Sequence, residues 1–319
     1  MAHKRVGQLG FADQLTAGIG RKSGEVLERV SALVDWACLE RQMGSFYPSH
    51  TGEKGFPPLV MLKVLLLQAW HDLSDPEMEA SLDDRMSFRR FAGFSADDAV
   101  PDHATIWRFR QRLAQRGLDQ PLMAEVARQL ESRGLLVKKG TLIDATLTQS
   151  AARRPRMNEG KISPVDPDAR FGANNERRRF VFGYKMHMAM DEGSALVRAA
   201  VMTPANVQEI DLAATLVQGD ERQVYADRGY DSKRLHDHLA RRGIGNGVMR
   251  RGAKTDPAIQ LRNNAISAIR RTIEKLFGTQ KRHYGLARMR YFTQSRNAMR
   301  MALCVIGYNL KRMVVISTT

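Results

Sequence analysis

The run Val224-Tyr-Ala-Asp-Arg-Gly-Tyr-Asp231 decides how the chain folds. It is a short apolar segment that ends in a carboxylate and then turns at a glycine. The pattern predicts a strand that delivers Asp227 to its tip. Gly229 permits the sharp exit, and Asp231 or Ser232 can accept hydrogen bonds from the first amides of a following helix. Asp227 is thereby expected at the carboxyl edge of a sheet, the edge at which open α/β sheets bind their ligands. Taken alone, such an aspartate more often caps a turn than carries chemistry.

The neighbouring segments supply the rest of a sheet. Gly140 to Leu147 is a β-prone run with a lone acid, Asp144, in its middle, and Phe180 to Met190 and Ala195 to Met202 are two further strands joined by the turn-rich Asp191-Glu-Gly-Ser194. Glu209 to Val217 and Lys233 to Arg242 are predicted helices on either side of Gln223 to Asp227. That order implies an α/β fold, a mixed sheet with helices on its faces. Between the first two strands, Gln149 to Arg179 has little apolar content and eight Lys and Arg against four acids. It is expected to be a mobile basic loop. Arg177, Arg178 and Arg179 could follow phosphates there, although a solvated linker accounts for them equally well.

Residues 1 to about 135 have a different character. Apolar residues recur at helical spacing in Val26 to Trp36, Leu59 to Trp70 and Leu122 to Leu136, while Pro57-Pro58 and Asp75-Pro76 mark helix starts. An all-helical amino-terminal domain (1–135) is therefore expected before a second domain (136–319). Asp102 to Leu113 opens with a good cap and carries Arg108, Arg110 and Arg112 around a helix. Such a helix either lies on DNA or is a solvated helix whose Trp107 and Leu113 face the core.

Charge narrows the partner. The chain of 319 residues has a net charge of +16, which implies a polyanion, nucleic acid first. The most apolar run, Leu59 to Trp70, is too short to span a bilayer and contains Lys63. The amino-terminal residues develop no apolar secretory segment, so a cytoplasmic protein is expected. Cys38 and Cys304 lie far apart and are expected as small core residues. No Gly-x-x-x-x-Gly-Lys loop is present, so ATP is not expected.

The basic excess concentrates between Arg241 and Arg300, where 15 Lys and Arg face two acids, Asp256 and Glu274. Ile266, Ile269, Ile273 and Phe277 mark an amphipathic helix. On it Arg270 and Glu274 are one turn apart, and Lys281 would align with them if Gly278 does not end the helix. By itself this is a surface Arg–Glu pair. Together with Asp144 and Asp227, Glu274 completes three carboxylates on three elements, a donor set suited to two hard divalent cations acting on a phosphodiester. His236 and His238 are two apart on a helix and point to different faces. Lys185 and His187 share one side of a strand and could approach a substrate, although a structural histidine is the more ordinary reading of His187.

Leu142-Ile-Asp-Ala-Thr146, Tyr225-Ala-Asp-Arg-Gly-Tyr-Asp231 and Arg270-x-x-x-Glu274-x-x-x-x-x-x-Lys281 resemble, in that order, the three catalytic regions of the DDE transposases of the IS4 and IS5 insertion-sequence families. Length and helical front resemble IS5 most. Phe182 to His187, Thr203 to Asn206, Lys281 to Leu286 and Pro101 to Arg110 are also similar to family segments. Ser267 stands where the family's third region has Tyr. The resemblance implies an RNase H-like core, with Asp144 on the first strand, Asp227 after the fourth and Glu274 on a late helix. The 47 positions between Asp227 and Glu274 leave room for a compact core only.

The resemblance further implies two Mg²⁺ ions, with Mn²⁺ able to substitute, held by Asp144, Asp227 and Glu274. Arg270 and Lys281 match positions associated with the DNA strand, and the adjacent Arg282 adds to that basic face. The implied partners are double-stranded DNA, as transposon ends and target, and a second copy of the chain, at least a dimer on DNA. The setting would be the bacterial cytoplasm, at the chromosome. Alternatives are a silent, domesticated transposase serving as a repressor, or an RNase H-like nuclease without strand transfer.

Overall fold

The computed structural model describes residues 3–19, 21–47, 54–156, 162–174, 179–252 and 256–318. Two compact units divide the chain, Met1–Gln129 with Ala302–Thr319, and Leu130–Met301. The first strand is preceded by α1 (Phe11–Thr16), α2 (Arg21–Leu33), α3 (Trp36–Met43), α4 (Pro58–His71), α5 (Asp75–Asp84), α6 (Met86–Ala92), α7 (His103–Gln115) and α8 (Asp119–Ser132).

Local chemistry sets these helix starts. Pro58 stands at the head of α4, where a missing N–H costs nothing. Ser74 and Glu77 form a reciprocal capping box on α5, and Asp102 caps α7 by accepting from the Thr105 amide. α4 is the centre of the first unit and packs against α3, α5, α6 and α7. Its Met61, Leu62 and Val64 to Leu67 are buried, as expected of the most apolar run in the chain. Lys63 is tolerated there because its ammonium lies over the Trp36 ring at 4.5 Å. Cys38 and Cys304 are buried and unpaired with each other.

The second unit is built on a sheet of β1 (Thr141–Gln149), β2 (Arg170–Asn174), β3 (Arg179–Asp191), β4 (Val197–Pro204), β5 (Gln223–Ala226) and β6 (Gly245–Val248). Along the sheet the order is β2-β3-β1-β5-β6, and β4 also pairs with β3. β1, β2 and β4 run antiparallel to β3, whereas β1, β5 and β6 are mutually parallel. α9 (Glu209–Leu216) and α10 (Lys233–Arg241) flank β5, and α11 (Pro257–His283) and α12 (Gln294–Ser317) close the chain. Helical front and mixed sheet together form the expected RNase H-like architecture.

Two details differ from the sequence reading, and a third decides a point it left open. β2 lies inside the stretch expected to be a loop, so Asp227 follows the fifth strand rather than the fourth. The segment is also anchored by Asp166, which is fully buried and accepts from Ser150 Oγ, Tyr184 Oη and the Thr293 amide. These bonds are long-range, and local composition does not register them. Finally, Gly278 does not end α11, which continues to His283 and keeps Lys281 in phase with Glu274.

Candidate active site

Strand register creates the site. β1 and β5 are parallel, with Thr141 opposite Val224 and Leu142 opposite Tyr225. Two residues further along each strand come Asp144 and Asp227. Asp144, in the middle of β1, and Asp227, just past the end of β5, are therefore level with each other on neighbouring parallel strands. Asp227 leaves the sheet into a 3-10 turn, Arg228–Tyr230, and its Oδ1 accepts from the Gly229 amide at 2.8 Å. Ser232 rather than Asp231 caps α10, by accepting from the Leu235 amide. Asp231 instead accepts from the Arg251 amide at 2.9 Å and contacts His236 Nε2 at 2.7 Å. His236 Nδ1 meets Asn246 Nδ2 at 2.6 Å, so this histidine braces the turn after Asp227 against β6.

α11 packs against β1 and β5. Its start is fixed by Asp256, which accepts from the Ala258 and Ile259 amides. From this helix Arg270 Nη2 donates to Asp144 Oδ2 at 2.8 Å, and Lys281 Nζ donates to Thr146 Oγ1 at 2.6 Å. Glu274, one turn beyond Arg270, is exposed and lines the same cleft. That cleft has a volume of about 890 Å³ and is bordered also by Glu209, Arg228, Gly229 and Arg251. Asp144, Asp227, Glu274 and Arg270 are thus brought to one place from strands and a helix far apart in sequence.

Burial pushes the Asp144 carboxyl up to about 7. The Arg270 guanidinium opposes this, while the charges of Asp227 and Glu209 add to it. Burial dominates because the Asp144 side chain is only 13% exposed. Glu209, at the start of α9, is likewise raised by burial, against the pull of Lys185. Tyr230 is fully buried, and its hydroxyl has no hydrogen-bond partner among the described residues.

Among the described residues, no three acidic, imidazole or thiol side chains converge closely enough to hold a metal ion. Arg270 bonds one oxygen of Asp144, and the Gly229 amide bonds one of Asp227. The donor chemistry still fits a hard cation. The acids lining the cleft offer carboxylate oxygens alone, and the orphaned Tyr230 hydroxyl is close enough to Asp144, Glu209 and Asp227 for each to oppose its ionisation.

The remaining residues singled out in the sequence divide sharply. Arg282 is exposed on α11, as are Arg108 and Arg112 on α7. Arg112 lies over the Tyr47 ring at 5.2 Å. Arg110 is 2% exposed, and its guanidinium makes two bonds to Asp75, at 2.6 and 2.7 Å, and one to Gln68 at 2.9 Å. A DNA contact by Arg110 is therefore corrected to a buried ion pair. The cause is helical phase: Arg110 shares the inner face of α7 with Ile106 and Leu113, while Trp107, which the solvated-helix reading placed inside, is 45% exposed. Arg177 and Arg178 lie outside the described residues, as does the side chain of Arg179. His187 is fully buried, with Nε2 2.9 Å from Thr203 Oγ1, the structural role expected of it.

Sequence reasoning missed Glu209, Arg228, Tyr230 and Arg251. An acid at a helix start passes for a complement to the helix dipole, and the two arginines are unremarkable in so basic a chain. No helix among the described residues is long and apolar enough to cross a membrane. Two family models match the chain: a transposase domain (DUF772) over residues 19–112 and a transposase DDE domain over residues 136–310. The second covers more than half of the chain and contains every residue of the cleft, and the chain belongs to the DDE transposases.

Proposed function

We propose that this DNA transposase, of the IS5 type, binds the terminal inverted repeats of its own element, cleaves DNA there and joins the freed 3′-hydroxyl to target DNA. The observation that carries the reading is the level placement of Asp144 and Asp227 on parallel strands, with Arg270 and Glu274 of α11 facing the same cleft. DDE transposases as a class use divalent metals. Asp144, Asp227 and Glu274 are the residues to hold two Mg²⁺ ions, replaceable by Mn²⁺, which when bound would supply a water of lowered pKa and neutralise phosphate charge.

The chain's own groups do the positioning. Lys281, steadied by Thr146, and the exposed Arg228 and Arg251 beside the acids offer cations to the phosphates that flank the scissile bond. Arg270 holds Asp144 in place. Arg108, Arg112 and Arg282 are further candidates for phosphate contact, and residues 1–135 for recognition of the ends and assembly. The joining of two ends calls for at least a dimer on DNA, and the setting is the bacterial cytoplasm.

Purified Asp227→Ala protein tests the reading. It should bind end DNA with unchanged affinity and fail to cleave it, and retained cleavage would overturn the assignment. Pre-cut ends incubated with the parent protein should yield joined products. A nuclease without strand transfer would release none.

A further inference from the structure

Four carboxylates, rather than three, line the cleft. Glu209 Oε1 lies 3.3 Å from Lys185 Nζ, which also donates to the Val207 carbonyl at 3.0 Å. Its other oxygen, Oε2, faces the space over Gly229. A Cβ placed on Gly229 would lie 2.9 Å from Asp227 Oδ1 and 3.5 Å from Glu209 Oε2, so the two acids approach one another over a space that only glycine leaves open. Like charges brought together in a partly desolvated cleft repel unless a cation lies between them. Lys185 answers one oxygen of Glu209 and leaves Oε2 to another cation.

A second observation is independent of the acids. Tyr230, the residue after Gly229, is fully buried and its hydroxyl is unbonded among the described residues. Buried polar atoms in native folds are nearly always satisfied, and a phenol oxygen, unlike a guanidinium nitrogen, has lone pairs to turn toward a cation. Glu274, by contrast, is exposed.

We propose that Glu209 is a fourth carboxylate of the divalent-cation site, acting with Asp227 across Gly229, and that Lys185 is the internal cation that competes for it. This rests on the reading of the cleft as a divalent-cation site. Lys185 then serves to hold Glu209 in place before a metal arrives.

The test is Mn²⁺ binding to the full-length protein without DNA, followed by the electron paramagnetic resonance of free Mn²⁺. Glu209→Gln should weaken binding about tenfold or more. Lys185→Met should tighten it, and the gain should vanish when Glu209→Gln is added. If Glu209→Gln binds Mn²⁺ as the parent does while Asp227→Asn does not, Glu209 is not a ligand and the cation site stands without it. If Asp144→Asn and Asp227→Asn also bind as the parent does, the cleft is not the cation site and both readings fall. Thermal unfolding in chelator checks that each variant is folded. Should Glu209→Gln not fold, an unchanged affinity in Lys185→Met overturns the proposal by itself.

Discussion

Arg270 on α11 donates from Nη2 to Asp144 Oδ2 at 2.8 Å and so ties together residues 126 positions apart. Both side chains are nearly buried, at 10% and 13% exposure. Removing one partner of such a pair leaves an unpaired charge out of water. At pH 8, where Asp144 is ionised in the parent, Arg270→Ala should therefore cost up to about 3–5 kcal/mol of stability in urea unfolding, and clearly less at pH 6, where Asp144 holds a proton instead. A loss below about 1 kcal/mol at pH 8, the scale of an exposed pair, would show that solvent reaches Asp144 freely.

Asp144 also gives the metal-free protein a pH signature. Its folded value of about 7 lies above the ordinary 3.8, so between these two values the folded chain holds a proton that the unfolded chain has lost. Stability from this group is then greatest below pH 4, declines as pH rises to about 7, and is level above that. Three units correspond to about 4 kcal/mol as an upper bound. Urea unfolding of the parent and Asp144→Asn in chelator, from pH 4 to 8, should show the difference between them growing across that window. Parallel curves would contradict the burial of Asp144.

Gly229 separates two acids, and the space it leaves is specific. In Gly229→Ala the new methyl would sit 2.9 Å from Asp227 Oδ1, closer than carbon and oxygen tolerate without a shift. Gly229 is exposed and the change removes no core contact, so stability should stay within about 0.5 kcal/mol. Cleavage of end DNA should fall by about 100-fold, the size expected when a reacting group is displaced by about 1 Å. Equal losses of stability and cleavage would point to a folding defect instead.

The arginines of α7 should separate by function. Arg110→Met breaks the bidentate pair with Asp75 and should lower stability by about 3–5 kcal/mol, with little change in DNA affinity of the folded fraction. Arg108→Ala should barely alter stability and should weaken end binding. If Arg108 neutralises a phosphate, the slope of log affinity against log salt should drop by about 1. An unchanged slope would remove Arg108 from the interface.

Lys281→Met tests the other end of α11. Lys281 Nζ donates to Thr146 Oγ1 at 2.6 Å, two residues beyond Asp144 on β1. The variant should bind DNA with a salt slope lower by about 1 and cleave more slowly even at saturating DNA. Loss of binding with an unchanged cleavage rate at saturation would make Lys281 a distant contact only.

Much of the second unit was legible in the sequence, because strands and helix caps are local. Val224 to Ala226 followed by Asp227 and Gly229 could hardly be anything but a strand, an acid and a turn. The apolar run of α4 and the periodicity of Ile266 to Phe277 set their helices in the same way. The three ordered motifs then carried Asp144, Asp227 and Glu274 to one function class. Local pattern did not decide which face of α7 is buried, and Arg110 went inward where it was expected outside. Nor could it place Asp166, whose partners lie up to 127 positions away and anchor a segment expected to be a loop.

The tertiary structure alone decided the electrostatics of the cleft. Asp144 and Asp227 are level because β1 and β5 pair in one particular register, and a register is a relation between strands that neither strand contains. Glu209 joins them because α9 begins beside β3 and Lys185, and the continuation of α11 through Gly278 brings Lys281 to Thr146. The sequence determined which elements form and which carboxylates and cations they bear. Their approach to one another, and with it the burial that raises Asp144, depends on packing between elements far apart along the chain, where the fields of distant charges add and water is excluded.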